Sequence, residues 1–317
     1  MSTDVRDGSD LLIAVDGGNS KTDVRLVRGD GTELRRALGG PFRPHALGVP
    51  AAMAAMEQAV EEVLAAAGVS GKVRGIAAFL AGADLPEEIA TLQAEVEARG
   101  WAVEAHVAND ALAVLYAGSA RRAGVAVVCG TGINCVAAAP DGRTATFPAF
   151  GWESGDWGGG GDLGRAALWW AIRAEDGRGP ATALAEAVAG HFALPRVLDV
   201  VLALHFGEIS DRRLAELAPA VFHAADAGDE VARLLVDVLG DEIATMASVA
   251  ARRLDLKNPE VLLGGSVAAA GHPRLLDRVR ERGPGPVTVV TDAPVLGAVR
   301  YAVGRWGADA RQIASSA

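Results

Sequence analysis

The chain has 317 residues, half of them hydrophobic, and carries a formal net charge of −10. This length is sufficient for two domains with separate cores, and the hydrophobic fraction argues against a disordered protein. The negative charge, with no local cluster of Lys and Arg, argues against a surface that binds nucleic acid or an anionic membrane.

The cysteines and the N-terminus bear on the cellular compartment. Cys129 and Cys135 are six positions apart in one apolar segment. Within a single strand this spacing is too long for a disulfide, so buried thiols in a reducing compartment are favoured over a disulfide or a metal site. The acidic, polar first ten residues do not look like a signal peptide, and no apolar run is long enough to span a bilayer. We therefore expect a cytoplasmic protein.

A glycine-containing hairpin is predicted near the N-terminus. The apolar run 11–15 is a buried strand that leads to Asp16, and 24–27 is the returning strand. Gly17 and Gly18 allow backbone N–H groups to approach a ligand. The polar tip that follows consists of Asn19, Ser20, Lys21 and Thr22. A phosphate bound in this turn, with Asp16 holding a metal ion, is one interpretation, and an ordinary hairpin turn is the other.

Strands and helices alternate through the next part of the chain. A third strand is predicted over 32–38, one helix over 51–67, and another from Pro86 to about residue 99. Between the two helices, the strand 75–80 leads into Ala81-Gly82-Ala83-Asp84, a loop at the carboxyl end of a strand.

Asp110 follows the next strand, 103–107, and precedes a helix that begins near residue 111. A carboxylate at a helix N-terminus is favoured by the helix dipole. Asn and Asp are also the usual N-cap residues, and taken alone the position favours a simple cap.

The pattern of apolar strand, glycine turn and apolar strand recurs around Gly130-Thr131-Gly132, between strands over 125–129 and 133–139. Each half of the chain thus begins with its own glycine hairpin. We therefore expect two domains, residues 1–118 and residues 119–317.

The segment 150–165, FGWESGDWGGGGDLGR, contains the four consecutive glycines Gly158–Gly161. Such a run costs backbone entropy, and we expect that packing does not explain it. A flexible linker is one interpretation, although two tryptophans and three acids are unusual in a linker. We favour a ligand-binding loop that could reshape on binding.

The rest of the chain is predicted to be mostly helical as far as residue 253, and its histidines lack the spacing and acidic neighbours of a metal site. A short strand, 261–263, then enters the turn Gly264-Gly265-Ser266. A final helix over 294–303 could pack back on the N-terminal domain. The tail after Gly307 carries little structural signal.

All of these loops follow the carboxyl ends of strands, where open α/β sheets bind ligands. The two glycine hairpins could clamp a triphosphate through N–H groups and hydroxyls, and the turn at 264–266 could press its backbone against a flat base. A carboxylate such as Asp110 is what phosphoryl transfer to an alcohol needs as proton acceptor.

Three segments together resemble the nucleotide motifs of the actin/hexokinase/Hsp70-type ATPase superfamily. Residues 16–22 correspond to its first phosphate motif, 128–134 to its second and 262–267 to its adenosine motif. In particular, the chain from residue 11 to about residue 305 resembles the branch shared by N-acetylglucosamine kinases and BadF-BadG-BcrA-BcrD-type ATPases. The resemblance implies an α/β fold of two ribonuclease-H-like domains with a nucleotide cleft between them.

The resemblance also implies roles for single residues. Asp110 would be the catalytic base on a sugar hydroxyl, ATP and Mg²⁺ would be the cofactors, and Asp16 would orient the metal. The ATP phosphates would be bound by Gly17, Gly18, Asn19, Ser20, Lys21, Thr22, Gly130, Thr131 and Gly132. The adenosine would contact Gly264, Gly265 and Ser266. Besides Asp110, the sugar would contact His45, Gly82, Trp157, Gly158 and Asp162.

Two segments depart from the kinases of this branch. Their Gly-Trp-Gly segment, followed by Gly-Asp-Glu-Gly, corresponds here to residues 156–164, which are one residue shorter and have Leu163 in place of the Glu. Where N-acetylglucosamine kinases place an Asn that holds the sugar, this chain has Arg43-Pro44-His45, and Pro44 has no side chain for that contact. The departures leave the nucleotide motifs intact and concern the choice of sugar.

The implied function is an ATP-dependent kinase of an amino sugar, N-acetylglucosamine or a related N-acetylhexosamine or glucosamine. One alternative is an ATPase that activates a reductase or dehydratase through an iron–sulfur cluster at a dimer interface, for which Cys129 and Cys135 are badly placed. The other is a non-catalytic sugar sensor, against which Asp110 argues. We expect a homodimer from its frequency among cytosolic enzymes, with a small-molecule sugar substrate and no nucleic-acid or membrane partner.

Overall fold

A computed structural model describes residues 8–307 of the chain. These residues form two compact units, each built on one five-stranded sheet. Of the described residues, the first unit comprises 8–123 together with 291–307, and the second comprises 124–290. The tail after Gly307, whose sequence carries little structural signal, lies outside the described residues.

Strands and helices make up most of residues 8–307. The strands are β1 Leu11–Gly17, β2 Thr22–Arg28, β3 Glu33–Gly39, β4 Val73–Leu80, β5 Ala102–Asn109, β6 Gly124–Cys129, β7 Ile133–Ala138, β8 Thr144–Thr146, β9 Val261–Gly264 and β10 Val287–Val289. The α-helices are α1 Pro44–Leu47, α2 Val49–Ala66, α3 Pro86–Ala98, α4 Asp110–Gly118, α5 Gly159–Glu175, α6 Leu184–His191, α7 Val197–His205, α8 Ala218–Asp226, α9 Glu230–Arg253, α10 Ser266–Ala269, α11 Pro273–Arg282 and α12 Pro294–Trp306. No helix in this part of the chain combines the length and the apolar character needed to cross a bilayer.

The sheet of the first unit has the strand order β3-β2-β1-β4-β5. The strands β1, β2 and β3 are antiparallel neighbours, whereas β4 and β5 run parallel to β1. The register places Gly17, Leu80 and Asn109 side by side at the carboxyl ends of β1, β4 and β5. The loops that follow these strands therefore start from one edge of the sheet, where polar residues can converge.

The last helix, α12, packs against the first unit. At Gly297 the approach to α4 is so close that a Cβ would lie 1.9 Å from the carbonyl oxygen of Ala113. Near the end of α12, Trp306 Nε1 donates to Glu104 at 2.9 Å, and the indole ring covers Gly75. The first unit therefore contains both the start and the end of the described chain.

The sheet of the second unit has the order β10-β9-β6-β7-β8. Its hairpin β6–β7 is antiparallel, and β9 and β10 run parallel to β6. In both units, then, a hairpin precedes a parallel extension of the sheet, and the long helix α9 covers β6 and β7 of the second. The predicted α/β fold with two related halves is confirmed.

The glycine run Gly158–Gly161 is not a loop, which corrects the interpretation of the sequence. Gly159 begins α5, so three of the four glycines form the first turn of that helix. A Cβ on Gly159 would lie 2.5 Å from the carbonyl oxygen of Gly132, and one on Gly161 would lie 3.1 Å from that of Thr131. Close packing of backbone on backbone, which a glycine string in sequence does not reveal, therefore explains the run.

Cys129 and Cys135 lie on neighbouring strands, β6 and β7, of the predicted second hairpin, so the spacing argument for a single strand does not apply to them. They do not face each other, since Cys129 pairs with Ile133 and Cys135 with Val127. Both thiols are free and fully buried. Burial raises the pKa of Cys129 to about 12 and also raises the pKa of Cys135.

Candidate functional site

The first glycine turn joins β1 to β2 and presents a polar tip. The ladder of the hairpin ends at Gly17 and Thr22, and the Gly18 N–H closes the turn on the Lys21 carbonyl at 2.9 Å. The exposed tip beyond this closure consists of Asn19, Ser20 and Lys21. An amide, a hydroxyl and an ammonium group are thus displayed together, a combination that suits an anionic ligand.

The two residues that flank this tip, Gly17 and Thr22, are buried. Thr22 Oγ1 donates to the carbonyl of Gly40 at 2.8 Å, and its side chain has no exposed surface. This hydroxyl is bonded within the sheet edge, so the predicted phosphate contact of Thr22 would require this hydrogen bond to break. Gly17 serves packing, because a Cβ there would lie 2.7 Å from Leu80 Cδ2.

Asp16 lies at the carboxyl end of β1, opposite Asp23 in β2. Burial raises the pKa of Asp16 to about 7, the carboxylates of Asp110 and Asp23 add to the rise, and Lys21 opposes it. A cation beside Asp16 would offset this cost, which fits the predicted metal ligand. Within the described residues no group of three or more His, Cys, Asp and Glu could hold a metal ion by itself. A Mg²⁺ ion here would therefore also need water and phosphate oxygens, as is usual for this ion.

Asp110 is the first residue of α4, directly after β5. The N-cap is its neighbour Asn109, whose Oδ1 accepts a hydrogen bond from the Ala111 N–H at 2.9 Å. Capping is therefore done by Asn109, and the carboxylate of Asp110 is not needed for it. Burial raises the pKa of Asp110 to about 6, although the N–H groups of Ala111 and of Asp110 itself act to lower it. Such a carboxyl is mostly ionised at neutral pH and still basic enough to accept a proton.

Asp84 also belongs to this region, although no sequence motif singles it out. It follows β4, and its Oδ1 accepts a hydrogen bond from Asn109 Nδ2 at 2.6 Å. Burial raises the pKa of Asp84 to about 7, and the carboxylates of Asp110 and Glu88 add to the rise. A signal is nevertheless present in the sequence, because Asp84, like Asp110, follows a buried strand and precedes a helix.

His45 and Gly82, both predicted sugar contacts, lie next to each other in the first unit. Gly82 has φ +72°, and a Cβ there would lie 2.6 Å from Pro44 Cγ and 3.4 Å from His45 Cε1. His45 Nε2 shares a hydrogen bond with Glu88 Oε1 at 2.7 Å. Pro44, His45, Gly82 and Glu88 line one side of a cavity of about 210 Å³ between the starts of α1 and α3. Pro44 thus fills space beside Gly82.

The second glycine turn, between β6 and β7, is packed against the turn that follows β9. The Gly130 N–H donates to the Gly132 carbonyl at 2.9 Å, while Thr131 and Gly132 are exposed. Gly265 has φ +84°, and a Cβ there would lie 2.5 Å from the carbonyl oxygen of Cys129. The predicted second phosphate motif and the adenosine motif, Gly264–Ser266, are therefore adjacent in the second unit.

The N-terminus of α5 is attached to the same glycine turn. The Gly160 N–H donates to the Gly130 carbonyl at 2.7 Å, and the Gly161 N–H donates to the Thr131 carbonyl at 2.8 Å. These helix donors, which could otherwise bind an anion, are used within the protein. Their effect is to hold the carbonyl groups of the turn in place.

The predicted sugar contacts of the second unit surround the start of α5. Gly158 is buried, and its N–H donates to Asp162 Oδ2 at 3.1 Å. The other carboxylate oxygen of Asp162 accepts from Arg165 Nη1 at 3.0 Å. Trp157 is half-buried against the core of the unit. Asp162 remains partly exposed, so its carboxylate stays accessible to a polar ligand.

Relatives with recorded activities resemble most of this chain. It is 26% identical over 253 residues to the N-acetylmuramic acid/N-acetylglucosamine kinase of Clostridium acetobutylicum. The aligned region covers 80% of this chain and 83% of that protein. It is 24% identical over 277 residues to the N-acetyl-D-glucosamine kinase of Dictyostelium discoideum, which covers 83% of this chain and 87% of that protein. The crystal structure of a candidate N-acetylglucosamine kinase from Chromobacterium violaceum matches with a TM-score of 0.72 at 26% identity, covering 92% of this chain and 99% of that chain.

A family assignment follows from the match along the sequence. Residues 13–302 match the BadF/BadG/BcrA/BcrD ATPase family. The matched range contains both glycine hairpin turns, the turn after β9 and Asp110. The resemblance inferred from these motifs is thereby confirmed, and the chain belongs to the BadF/BadG/BcrA/BcrD ATPase family.

Proposed function

We propose that this protein is an ATP-dependent kinase that phosphorylates a hydroxyl group of an amino sugar, N-acetylglucosamine or a related N-acetylhexosamine or glucosamine. The observation that carries the proposal is Asp110. It is a carboxyl with a pKa raised to about 6, and it begins a helix in a chain of an ATPase family. The recorded activities of the relatives in Clostridium and Dictyostelium support an amino sugar as acceptor.

In the proposed reaction Asp110 is the general base. Its ionised carboxylate takes the proton from the sugar hydroxyl while the hydroxyl oxygen bonds to the γ-phosphorus of ATP. The bond between the γ-phosphorus and the bridging oxygen breaks, and ADP leaves with that oxygen. A base of pKa about 6 matches this task, because it is ionised at neutral pH before the proton transfer begins.

Each unit carries its own set of predicted nucleotide contacts. In the first unit the tip residues Asn19, Ser20 and Lys21, with the backbone of Gly17 and Gly18, bind phosphate. In the second unit the phosphate contacts come from Gly130, Thr131 and Gly132, and the backbone of Gly264, Gly265 and Ser266 lies against the adenosine. Mg²⁺ bound near Asp16 would neutralise phosphate charge. Lys21 supplies a further positive charge from the exposed tip.

Each unit likewise carries its own predicted sugar contacts. Asp162 offers its carboxylate to sugar hydroxyls, next to the backbone of Trp157 and Gly158. His45 and Gly82 flank the acceptor in the first unit, beside a cavity of about 210 Å³. Because Pro44 fills part of that region, we assign sugar choice to this neighbourhood and to the start of α5.

The test is ADP release across a panel of hexoses, N-acetylhexosamines and free amino sugars, with a matched pair of variants. Asp110→Asn should abolish sugar-dependent ADP release and leave ATP binding intact. Asp30→Asn changes an exposed turn carboxylate of the same unit and should leave turnover unchanged. The proposal is wrong if no sugar raises turnover above the rate with water, or if Asp110→Asn retains near-normal transfer.

The buried thiols argue against the alternative of an iron–sulfur ATPase activator. Cluster ligation needs accessible thiolates, whereas burial raises the pKa of both cysteines, that of Cys129 to about 12. Purified protein should accordingly be colourless and free of iron. The proposed homodimer is tested separately by the mass of the protein in solution, measured by light scattering.

A further inference from the structure

A continuous set of hydrogen bonds connects the loop after β4 with the helix that carries Asp110. Asn109 lies at its centre, because its two side-chain atoms face different partners. Nδ2 donates to Asp84 Oδ1 at 2.6 Å, and Oδ1 accepts from the Ala111 N–H at 2.9 Å. A single amide thus ties Asp84 to the first turn of α4.

The loop end of this set is fixed by Glu88. Its Oε2 accepts from the Asp84 N–H at 3.1 Å and from the Leu85 N–H at 3.0 Å, which caps the start of α3. Its Oε1 shares a hydrogen bond with His45 at 2.7 Å. Asp84 is therefore held at two places, its backbone N–H by Glu88 and its carboxylate by Asn109.

We propose that Asp84 and Asn109 are positioning residues of the transfer reaction, which together fix the orientation of Asp110. This inference rests on the proposed kinase function. Asp110 begins α4, and the direction of its side chain depends on how the first turn of that helix is held. Asn109 holds the turn, and its Nδ2 donates to Asp84 Oδ1 at 2.6 Å and to the Ala83 carbonyl at 3.4 Å, so that Asp84, as the nearer acceptor, fixes which way the Asn109 amide faces.

The residue types support this division of work. A helix N-cap needs only an acceptor, which Ser, Thr or Asp would also supply. Asn also has an amide N–H₂ group that can donate, and here this group donates to the carboxylate of Asp84 at 2.6 Å. Asp84 is held in a buried place near Asp110, where a second negative charge is unfavourable. A neutral residue at this position would destabilise the fold less than a buried carboxylate does. The carboxylate is therefore better explained by its effect on the orientation of Asp110.

The test uses single variants and an exchange of the two side chains. Asp84→Ala and Asn109→Asp each remove the 2.6 Å bond, the second by placing two carboxylates face to face. We expect each to lower kcat about 10- to 100-fold while the KM values for sugar and ATP change little. In the double variant Asp84→Asn with Asn109→Asp, donor and acceptor are exchanged, and the new carboxylate can still cap α4. We expect kcat to recover to within about threefold of the unchanged protein.

The control is Glu62→Gln, which changes an exposed carboxylate on α2 of the same unit, away from the cavity and from Asp110. Its kcat should equal that of the unchanged protein. Thermal unfolding of every variant separates loss of folding from loss of rate. If Asp84→Ala does not fold, Asn109→Asp and the double variant still decide the matter.

Each other outcome has a definite meaning. A rise in sugar KM with unchanged kcat would make Asp84 a sugar ligand and overturn the positioning role. Unchanged kcat in both single variants, or failure of the exchange to restore it, overturns the inference and leaves the proposed function standing. Absence of turnover in the unchanged protein with every sugar overturns the proposed function, and the inference with it.

Discussion

The glycine turns of the two units have neighbours of different kinds. The turn between β1 and β2 ends in the exposed side chains of Asn19, Ser20 and Lys21, and a Cβ on Gly18 would meet its nearest neighbour at 3.6 Å. The turn between β6 and β7 is held from one side by the first N–H groups of α5 and from the other by Gly265. Similar sequence patterns thus produce one turn with an exposed polar tip and one whose main chain is packed against two other backbone segments.

This difference indicates what glycine does in each turn. In the first turn, side-chain packing favours glycine at Gly17, and the tip acts through polar side chains. In the second, the glycines of three separate segments allow the backbones to touch, so the turn acts through main-chain groups in fixed positions. We expect changes of exposed side chains at the tips of the turns to alter ligand affinity, and changes at closely packed positions, such as those around the second turn, to alter stability. Four predictions test that contrast.

The largest effect is expected from Gly265→Ala compared with Gly18→Ala. Gly265 has φ +84° and ψ 155°, a region that essentially only glycine adopts, and the added Cβ would overlap Cys129. Strain and overlap together should reduce the free energy of unfolding by about 3–5 kcal/mol. Gly18→Ala has neither problem and should change it by less than about 1 kcal/mol. Chemical unfolding measures both, and equal losses in the two variants would refute the contrast.

The next effect is on nucleotide affinity. Lys21→Met removes the ammonium group of the first tip and should raise the dissociation constant of ATP about 10- to 100-fold, since charged hydrogen bonds contribute about 1.5–3 kcal/mol. The melting temperature should stay the same, because Lys21 is exposed. Lys72→Met, at another exposed lysine of the first unit, is the control and should bind ATP normally. Calorimetric titration would contradict the prediction if both variants bound ATP equally.

A smaller effect separates the two threonines of the turns. Thr22→Val breaks the buried bond to Gly40 and should lower the free energy of unfolding by about 1–2 kcal/mol without changing ATP affinity. Thr131→Val changes an exposed hydroxyl, so ATP affinity should fall and stability should not. The reverse pattern would mean that the Thr22 hydroxyl binds phosphate after all.

The fourth prediction concerns the pH dependence of stability at Asp16. Its pKa is about 7 in the folded protein and near 3.8 without the fold, so the folded state holds the proton more tightly. This group therefore favours folding below about pH 4 and loses that contribution as the pH rises towards 7. Asp16→Asn should match the unchanged protein below pH 4 and melt a few degrees higher above pH 7, measured without Mg²⁺. The control is Asp30→Asn, at a carboxyl whose pKa is lowered in the folded protein, and it should not raise the melting temperature.

Periodic patterns make much of the fold predictable. The strands β1, β4, β5 and β6 are apolar runs that end at polar or glycine turns, and the predicted bounds agree with the structure to within a few residues. The glycine motifs and Asp110 are likewise visible, because their spacing after each strand is local information. Asp84 has the same local pattern, but no motif distinguishes it from an ordinary loop acid.

Other features depend on contacts that a sequence does not display. The start of α5 in a run of glycines contradicts helix propensity, and the packing of Gly159 on Gly132 explains it only in three dimensions. The burial of the Thr22 hydroxyl follows from its partner Gly40, which lies 18 positions away. That Asn109 caps α4, so that the Asp110 carboxylate is not needed as a cap, can be recognised only from the hydrogen bonds.

The return of α12 to the first unit has a consequence for biosynthesis. Trp306 contacts Glu104 across 202 positions of sequence, and Gly297 contacts α4. During translation the second unit, a continuous segment, can fold while the first still lacks its final helix. The second unit would then complete its fold before the first, although most of the first is synthesised earlier. Until release from the ribosome, the faces of α4 and β1 that receive α12 would stay uncovered. A chain stopped shortly before residue 294 should therefore be a target for chaperones and proteases, although both glycine turns and Asp110 have already been made.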